Sequence, residues 1–312
     1  MYKRGLILEG GAMRGMFTCG VIDVFMENGI RFDGAAGISA GATFGCNYKS
    51  HQIGRAIRYN KKYSRDWRYC SIRSLIKTGD LYGAEFCYHT MPDLLDPFDT
   101  ETFKNDPMEF YIGATDVVTG EVRFHKCTDG GPADIEWMRA AASMPVVSNI
   151  VSVDGYKMLD GGIVCSVPYE YMEQQGYDRN VIVLTRQKGY RKKKSPIVPL
   201  VKLVLRKYPA MGRAMAVRHI GYNSQMDDID RREALGEVFV IRPPEDPGIG
   251  RTEKDPEELE RVYQMGRREA VRRLVHILEH PEADTGERVC LGGRITIGET
   301  VNDLRGRMVK GE

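Results

Sequence analysis

The chain lacks a cysteine pairing pattern, and it lacks a long apolar run. Its seven cysteines are odd in number and none shows C-x-x-C spacing, which argues against a disulfide framework and against a zinc site. We therefore expect a reducing, cytoplasmic location and neither a metal nor another cofactor. No apolar run approaches the roughly 18 residues of a membrane span, and the immediate start of a core strand predicts no signal peptide.

Acidic residues are missing from a long stretch of the second half. Residues 179–226 contain no Asp or Glu but twelve Lys or Arg, although the net charge of the whole chain is only +2. Apolar residues beside a basic cluster suit an anionic membrane surface, so we predict peripheral membrane contact through residues 186–218. The alternative is a solvated basic face of a helical subdomain. The low net charge and the absence of a recognition motif argue against nucleic-acid binding.

A glycine-flanked serine is the most informative feature that is present. Gly37, Ser39 and Gly41 form a G-x-S-x-G pattern after a short apolar run, and this pattern is typical of a nucleophile elbow, a sharp strand-to-helix turn. The glycines leave room for the strained backbone, and the following helix directs its positive end at an oxyanion beside Ser39. A plain glycine-rich turn would show the same five residues, so other motifs must decide.

A second glycine-rich loop follows the first predicted strand at residues 6–8. Loops between a strand and a helix present backbone N–H groups to anions, which leaves two interpretations. A dinucleotide loop would need glycine where this chain has Ala12 and an acid ending the second strand. An oxyanion hole would use the N–H groups of Gly10, Gly11 or Ala12 beside Ser39. The second is favoured because consecutive strand–turn–helix units bring both turns to one sheet edge.

A base for the serine is harder to find. Of the six histidines, the three late ones lie on basic or charged helical stretches rather than in apolar, glycine-bounded loops. Asp160 is the better candidate because it ends a predicted hairpin and precedes Gly161 and Gly162. A carboxylate bonded to Ser39 takes its proton directly if desolvation raises the pKa of that carboxyl group. Asp-Gly-Gly is also a common β-turn, and this alternative stays open.

Together the three motifs resemble the patatin-like phospholipase family, and we predict its bacterial branch. The resemblance implies a Ser–Asp dyad without histidine, in which Ser39 is the nucleophile and Asp160 the base. It also implies an oxyanion hole in the first loop and a lipid or other acyl-ester substrate, with Arg14 orienting the loop or meeting a lipid phosphate. The motif residues are Gly10, Gly11, Ala12, Arg14 and Gly15; Gly37, Ser39 and Gly41; and Asp160, Gly161 and Gly162.

Two positions depart from the family pattern. The family loop usually opens with Asp and has a further glycine, whereas this chain has Glu9 and Ala12. An alanine at this position costs little if its φ is negative. The departures therefore bear on which N–H groups point towards the serine.

The alternation of strands and helices predicts an α/β fold. The resemblance implies a three-layer sandwich, with a mainly parallel central sheet and helices on both faces, plus a C-terminal, mainly helical extension. We predict a catalytic domain at residues 1–180 and a basic, mainly helical region at 181–312. Residues 65–105 would form either a cap over the acyl site or a peripheral insertion.

The predicted function is that of a lipid acyl hydrolase of the phospholipase A or carboxylesterase type. Two alternatives remain at this point. An acyltransferase would use the same site with a different acceptor, and a non-catalytic lipid- or nucleotide-binding module would use the first loop alone.

Overall fold

The computed structural model describes residues 2–279, so the last part of the predicted C-terminal region lies outside the described residues. Its centre is an eight-stranded sheet in the order β5-β6-β3-β2-β1-β7-β8, with β4 paired to β3. The strands are β1 (Arg4–Leu8), β2 (Gly34–Ile38), β3 (Glu109–Asp116), β4 (Val122–Cys127), β5 (Val151–Val153), β6 (Tyr156–Asp160), β7 (Arg179–Val183) and β8 (Val238–Ile241).

The middle of the sheet is parallel. Strand β1 lies between β2 and β7, and β3 and β8 extend the parallel arrangement on either side. Strands β4, β5 and β6 pair antiparallel. Because β1 is covered on both faces, it is a continuous apolar run rather than an alternating one. The register pairs Leu8 with Gly37, which brings the turns after β1 and β2 to the same edge.

Helices cover both faces of the sheet. They are α1 (Met16–Glu27), α2 (Ala40–Lys49), α3 (Arg55–Tyr63), α4 (Ile72–Thr78), α5 (Thr100–Asn105), α6 (Pro132–Ala142), α7 (Tyr169–Gln174), α8 (Val198–Val204), α9 (Pro209–Ala234) and α10 (Pro256–Glu279). Leu6 and Leu8 pack in the core cluster that contains α1, α2, α6 and α10, whereas Ile7 packs in the cluster that contains α7 and α9. The predicted three-layer α/β architecture with a helical C-terminal part is thereby confirmed.

Residues beyond 180 contribute to the sheet as well as to the helices. The proposed boundary falls inside β7, which pairs with β1, and β8 pairs with β7. The backbones of α10 and α1 are in contact where the two helices cross. A Cβ on Gly20 would lie 2.1 Å from the Tyr263 carbonyl oxygen, and a Cβ on Gly266 would lie 2.0 Å from the Phe17 carbonyl oxygen. Within residues 2–279, no helix has both the length and the apolar character needed to cross a bilayer.

Candidate active site

Ser39 occupies a strained turn between β2 and α2. Its φ of 54° and ψ of −119° lie in a region that non-glycine residues rarely adopt. The flanking glycines make this turn sterically feasible, because a Cβ on Gly37 would lie 2.3 Å from the Gly41 oxygen and one on Gly41 would lie 2.2 Å from the Leu8 oxygen. The turn therefore has the backbone geometry of a nucleophile elbow.

Asp160 ends β6 and faces the serine. The Ser39 hydroxyl donates to Asp160 Oδ2 at 2.6 Å, and Asp160 Oδ1 accepts the Gly162 N–H at 2.7 Å. Asp160 is only 1% exposed to solvent. Burial raises the pKa of Asp160, while the Ser39 hydrogen bond and the Arg218 charge partly oppose that rise. A carboxylate with a raised pKa is a better proton acceptor for a hydroxyl.

The glycine-rich loop after β1 lies directly against this serine. A Cβ on Gly10 would be 2.9 Å from both the Ile38 oxygen and Ser39 Cβ. Within residues 2–279, the N–H groups of Gly10 and Gly11 donate to no protein acceptor, whereas the preceding N–H of Glu9 donates to the Val183 oxygen at 3.0 Å. Free N–H groups beside a nucleophile are the chemical requirement of an oxyanion hole.

Ala12 departs from the family glycine at a cost. Its φ is +49°, so the condition under which alanine would cost little, a negative φ, is not met. An L-residue in the left-handed region is strained by about 1–2 kcal/mol. The loop keeps the conformation that a glycine would adopt and carries this strain at Ala12.

The remaining motif glycines also mark close approaches. A Cβ on Gly15 would lie 2.9 Å from that of Ala40, the first residue of α2. One on Gly161 would lie 2.2 Å from the Gly113 oxygen of β3, and one on Gly162 would lie 3.0 Å from Asp160 Oδ1. These contacts hold the first loop against the serine turn and the Asp160 turn against β3.

Glu9 is not among the site residues that the sequence motifs predict, but it anchors the loop. It is 2% exposed, and its carboxylate accepts the Thr185 N–H at 2.6 Å and the Tyr222 hydroxyl at 2.9 Å. These partners come from the segment just after β7 and from α9. The only sequence signal was the departure of Glu9 from the usual family Asp.

Arg218 is a second site residue that lies outside the sequence motifs. Its Nε donates to the Gly162 oxygen at 2.6 Å, which fixes the turn that carries Asp160. Arg218 lies on α9, in the basic segment that the sequence placed on a solvated or membrane-facing surface. No local pattern identifies this role, because the partner lies 56 residues earlier.

An apolar cavity of about 480 Å³ opens beside Ser39. Its wall is mostly apolar, and residues from the 65–105 segment form part of it, including Tyr88, Met91 and Phe98. In that segment the chain runs as a π-helical stretch from Phe86 to Leu95, a conformation found frequently at functional sites. The segment thus lines the cavity, and its role as a cap is a proposal.

A polar cavity of about 370 Å³ lies on the other side of the serine. Ala12, Ser39, Met144 and Arg251 line both cavities. The wall of the polar cavity includes Arg14, as well as basic side chains from the segment after β7 and from α9. Ser39 therefore stands at the junction of an apolar space and a cationic one.

One group of side chains in the described part of the chain has a metal-binding composition. His125, Cys127 and Asp134 bring ligand atoms within 4.8 Å of one another. Asp134 already accepts three N–H groups from residues 128–130 and bonds to His125 Nε2 at 2.7 Å. Burial raises the pKa of the Cys127 thiol, which disfavours the thiolate that binds metals. The cluster is explained by its own hydrogen bonds, and metal independence stays a prediction.

Comparison with known proteins identifies two matching family models. The model described as patatin-like phospholipase matches residues 6–172, and a domain of unknown function, DUF6363, matches residues 208–280. The second match covers α9, which carries Arg218 and Tyr222. The site described above therefore draws residues from both matched segments.

Individual relatives cover different shares of the chain. Lysophospholipase NTE1 of Coccidioides immitis (strain RS) is 25% identical over 280 residues, covering 84% of this chain and 17% of the relative. The patatin-like phospholipase domain-containing protein ZK370.4 of Caenorhabditis elegans is 28% identical over 181 residues, covering 55% of this chain and 13% of the relative. The crystal structure of VipD from Legionella pneumophila aligns over 87% of this chain and 66% of that one, with 13% identity and a TM-score of 0.43.

The chain spans about a sixth or less of the length of these curated relatives. None of the comparisons selects a branch, so the bacterial branch stays a prediction. Because the family model matches more than half of the sequence, the chain belongs to the patatin-like phospholipase family.

Proposed function

We propose that the protein hydrolyses acyl esters of lipids, as a phospholipase A or carboxylesterase does, through a dyad of Ser39 and Asp160. The observation that carries this proposal is the 2.6 Å hydrogen bond from the Ser39 hydroxyl to a buried carboxylate, made on a strained turn at the edge of an apolar cavity. Membership of the family supports the reaction class.

In the first half of the proposed reaction, Asp160 accepts the Ser39 proton as Oγ attacks the ester carbonyl carbon. The carbonyl oxygen becomes an oxyanion, which the N–H groups of Gly10 and Gly11, and that of Ala12, stabilise. Collapse of this intermediate breaks the ester C–O bond. The proton on Asp160 passes to the departing alcohol, and the acyl group stays on Ser39.

The second half repeats these steps with water. Asp160, again ionised, accepts a proton from a water molecule that attacks the acyl carbonyl. The Ser39 Oγ leaves and receives that proton, and a fatty acid is released. No metal takes part in this proposal, because the proton acceptor and the oxyanion donors all come from the chain.

The apolar cavity beside Ser39 is the proposed acyl site. Its wall is mostly apolar, and the cavity volume of about 480 Å³ lies in the range of small-molecule sites. Residues 65–105 would act as the cap by closing one side of this space. An acyl chain in the cavity would place its ester carbonyl at Ser39, where the two cavities meet.

We also propose that residues 186–218 contact an anionic bilayer through α8. Leu203 is 65% exposed, and Leu200 and Val204 are exposed beside it. Leu200 also lines the apolar cavity, so the exposed apolar side of α8 continues into the acyl site. Lys202 on the same helix adds a positive charge, which favours an anionic surface.

Labelling with a fluorophosphonate probe and measurement of fatty-acid release test the dyad. We expect one adduct, on Ser39, and release of fatty acid from lysophospholipid or monoacylglycerol. Ser39→Ala and Asp160→Asn should each lower the rate by about 10³-fold or more. Asp160→Asn is nearly isosteric and can still accept the Gly162 N–H, so its folding is expected to be unimpaired.

Thermal unfolding of both variants is the control for misfolding. An active Asp160→Asn enzyme of native stability would overturn the dyad. Absence of labelling under conditions where a control hydrolase is labelled, both with and without vesicles, would overturn the hydrolase assignment.

A further inference from the structure

The polar cavity beside Ser39 has an unbalanced charge. Eight Lys or Arg side chains line it, against two carboxylates, Glu9 and Asp160. Both carboxylates have other partners, since Glu9 bonds to Thr185 and Tyr222, and Asp160 bonds to Ser39 and Gly162. The cavity therefore holds an excess of positive charge beside the proposed nucleophile.

Several of these cations form no close ion pair within the described residues. Arg14, Lys192, Arg218 and Arg251 all lie farther than 4.0 Å from every carboxylate oxygen of residues 2–275, the part of the chain whose side chains the structure describes. Arg14 is only 9% exposed, and its Nε has no hydrogen-bond acceptor in that part of the chain. A buried guanidinium without a partner carries a desolvation cost that a bound anion would offset.

Burial and neighbouring cations lower the pKa values of two side chains in the cavity. Burial, followed by the charge of Arg218, lowers the pKa of Lys192 to about 7; Arg251 and Arg14 lower it further, whereas Glu9 raises it. Burial and neighbouring arginines also lower the pKa of Arg14 to about 10. An anion among these groups would raise both pKa values.

The position of Lys192 is fixed by its backbone. Its N–H donates to the Asn223 side chain at 2.8 Å, and its carbonyl accepts from the same side chain at 3.1 Å. Its Nζ donates to Ser166 Oγ at 3.4 Å. Asn223 of α9 thus fixes the backbone of Lys192, and Ser166 holds its ammonium group in the cavity wall.

The same cavity is unsuited to a quaternary ammonium group. Such groups bind to aromatic faces or beside free carboxylates. Here the ring of Tyr222 is covered by Lys192 at 3.7 Å and that of Tyr190 by Arg186 at 4.4 Å. Each of these two tyrosine rings thus already has a protein cation against it, and both carboxylates are engaged.

We propose that the polar cavity binds the dianionic phosphate of a phosphomonoester headgroup. On this proposal the protein prefers lipids that end in a free phosphate over lipids whose phosphate carries choline or ethanolamine. Arg14, Lys192, Arg218 and Arg251 supply the charge, and Ser39 lies within reach of the ester because it lines both cavities. The proposal rests on the proposed hydrolase function and names its substrate class.

Hydrolysis of three substrates with one oleoyl chain tests the preference. They are oleoyl lysophosphatidic acid, oleoyl lysophosphatidylcholine and monooleoylglycerol, compared by kcat/KM for fatty-acid release. Because one or two charge-assisted hydrogen bonds are gained, we expect the phosphomonoester to exceed the choline lipid by about 10- to 100-fold. Equal rates, or preference for the choline lipid, would overturn the headgroup proposal while leaving the hydrolase standing.

Lys192→Met and Lys188→Met form a matched pair of variants. Lys188 follows β7 in the same basic segment, its side chain is 68% exposed, and it pairs with Glu233 outside the cavity. We expect Lys192→Met to lower kcat/KM for the phosphomonoester about 10-fold and to change that for monooleoylglycerol less than about twofold. An equal loss on both substrates would indicate a structural role and overturn the assignment of Lys192.

Direct binding separates this proposal from failure of the catalytic one. Calorimetric titration of Ser39→Ala protein with glycerol 3-phosphate, glycerophosphocholine and inorganic phosphate needs no turnover. We expect glycerol 3-phosphate to bind with proton uptake near pH 7, seen as a dependence of the heat on buffer ionisation, and uptake to be lost in Lys192→Met but kept in Lys188→Met. His219 also lines the cavity, and uptake that survives Lys192→Met would assign the proton to another group.

The binding and hydrolysis results together distinguish the possible sources of phosphate. Binding of glycerol 3-phosphate with no ester hydrolysis would keep the anion site and overturn the proposed function. Tight binding of inorganic phosphate without preference for the phosphomonoester lipid would identify a free-phosphate site and overturn the headgroup proposal.

Discussion

At the scale of single residues, the candidate site depends on backbone positions that only a few side chains tolerate. The glycine patterns around Ser39 and Asp160 were visible in the sequence because turn geometry is determined by neighbouring residues. The partners of Glu9 and Gly162 were not visible, since Tyr222 and Arg218 lie 213 and 56 residues away from them. Such pairings depend on how α9 packs, which no local pattern specifies.

The charge of Arg218 should control the pH profile of hydrolysis. Asp160 must be ionised to accept a proton, so kcat/KM falls as the pH drops through the Asp160 pKa, which burial raises and Arg218 lowers. Arg218→Gln should therefore move the acid limb to higher pH, and Arg218→Lys should keep it near that of the wild type. The measurement is kcat/KM against pH with a neutral monoacylglycerol. A uniform loss at every pH, without movement of the limb, would contradict this electrostatic role.

Ala12→Gly should relieve the strain in the loop. The left-handed φ of Ala12 costs about 1–2 kcal/mol, and glycine would remove this strain. Glycine also loses more conformational entropy on folding, which offsets part of the stabilisation. We expect the free energy of unfolding to rise by about 0.5–1 kcal/mol, measured by urea denaturation. As a control, Ala42→Gly on the buried part of α2 should lower it instead. A loss of stability in Ala12→Gly would show that the loop is not strained there.

At the scale of elements, α1 and α10 meet around a buried carboxylate. Asp23 on α1 accepts the Tyr263 hydroxyl at 2.7 Å and the Gly54 N–H at 3.0 Å. Burial raises the pKa of Asp23 from its ordinary value of 3.8 to about 6. The folded protein therefore holds this proton more tightly than the unfolded chain does, so the contribution of Asp23 to stability falls as the pH rises through this window.

Asp23→Asn should remove that pH dependence. We expect the difference in free energy of unfolding, variant minus wild type, to increase by about 2–3 kcal/mol between about pH 4 and 6. Above pH 6 this difference should stay constant. Urea denaturation at several pH values measures it, with Asp33→Asn, in the surface pair with Arg4, as the control. A difference that stays constant with pH, or that shrinks as pH rises, would contradict the shift.

Helix α8 should contribute to vesicle binding. Leu203→Asp replaces a 65% exposed apolar side chain by a charge of the same sign as an anionic bilayer. We expect co-sedimentation with phosphatidylglycerol vesicles to fall about 10-fold, from lost burial and added repulsion, with labelling of Ser39 in solution unchanged. Val217→Asp on α9, also exposed, is the matched control. Equal losses in both variants would argue against a specific contact through α8.

At the scale of the whole molecule, the order of strands connects the two regions that composition separates. The sequence predicted the α/β class because strand and helix periodicities alternate. The change in charge after residue 180 suggested a domain boundary. Charge indicates which residues are exposed to solvent, however, and does not indicate which strands pair. Strands β7 and β8, the Glu9–Tyr222 hydrogen bond and the α1–α10 crossing all link the regions.

A fragment of residues 1–180 should therefore fail to fold by itself. It would lack α8, β8, α9, α10 and most of β7, leaving β1 paired only with β2 and the sheet without the helix α9 that covers Ile7. We expect no cooperative thermal transition and no labelling of Ser39 by a fluorophosphonate, with the full chain as control. A soluble fragment that unfolds cooperatively and labels at Ser39 would establish residues 1–180 as an independent domain.

The location of Ser39 between two cavities sets an order of events for the proposed reaction. After acyl transfer, the fatty chain stays in the apolar space, while the phosphorylated alcohol fills the cationic space through which water would approach. The second half-reaction then waits until that alcohol departs. The phosphomonoester product should therefore slow hydrolysis of the acyl-enzyme as well as compete with the substrate. A small alcohol that enters the vacated space would accept the acyl group in place of water.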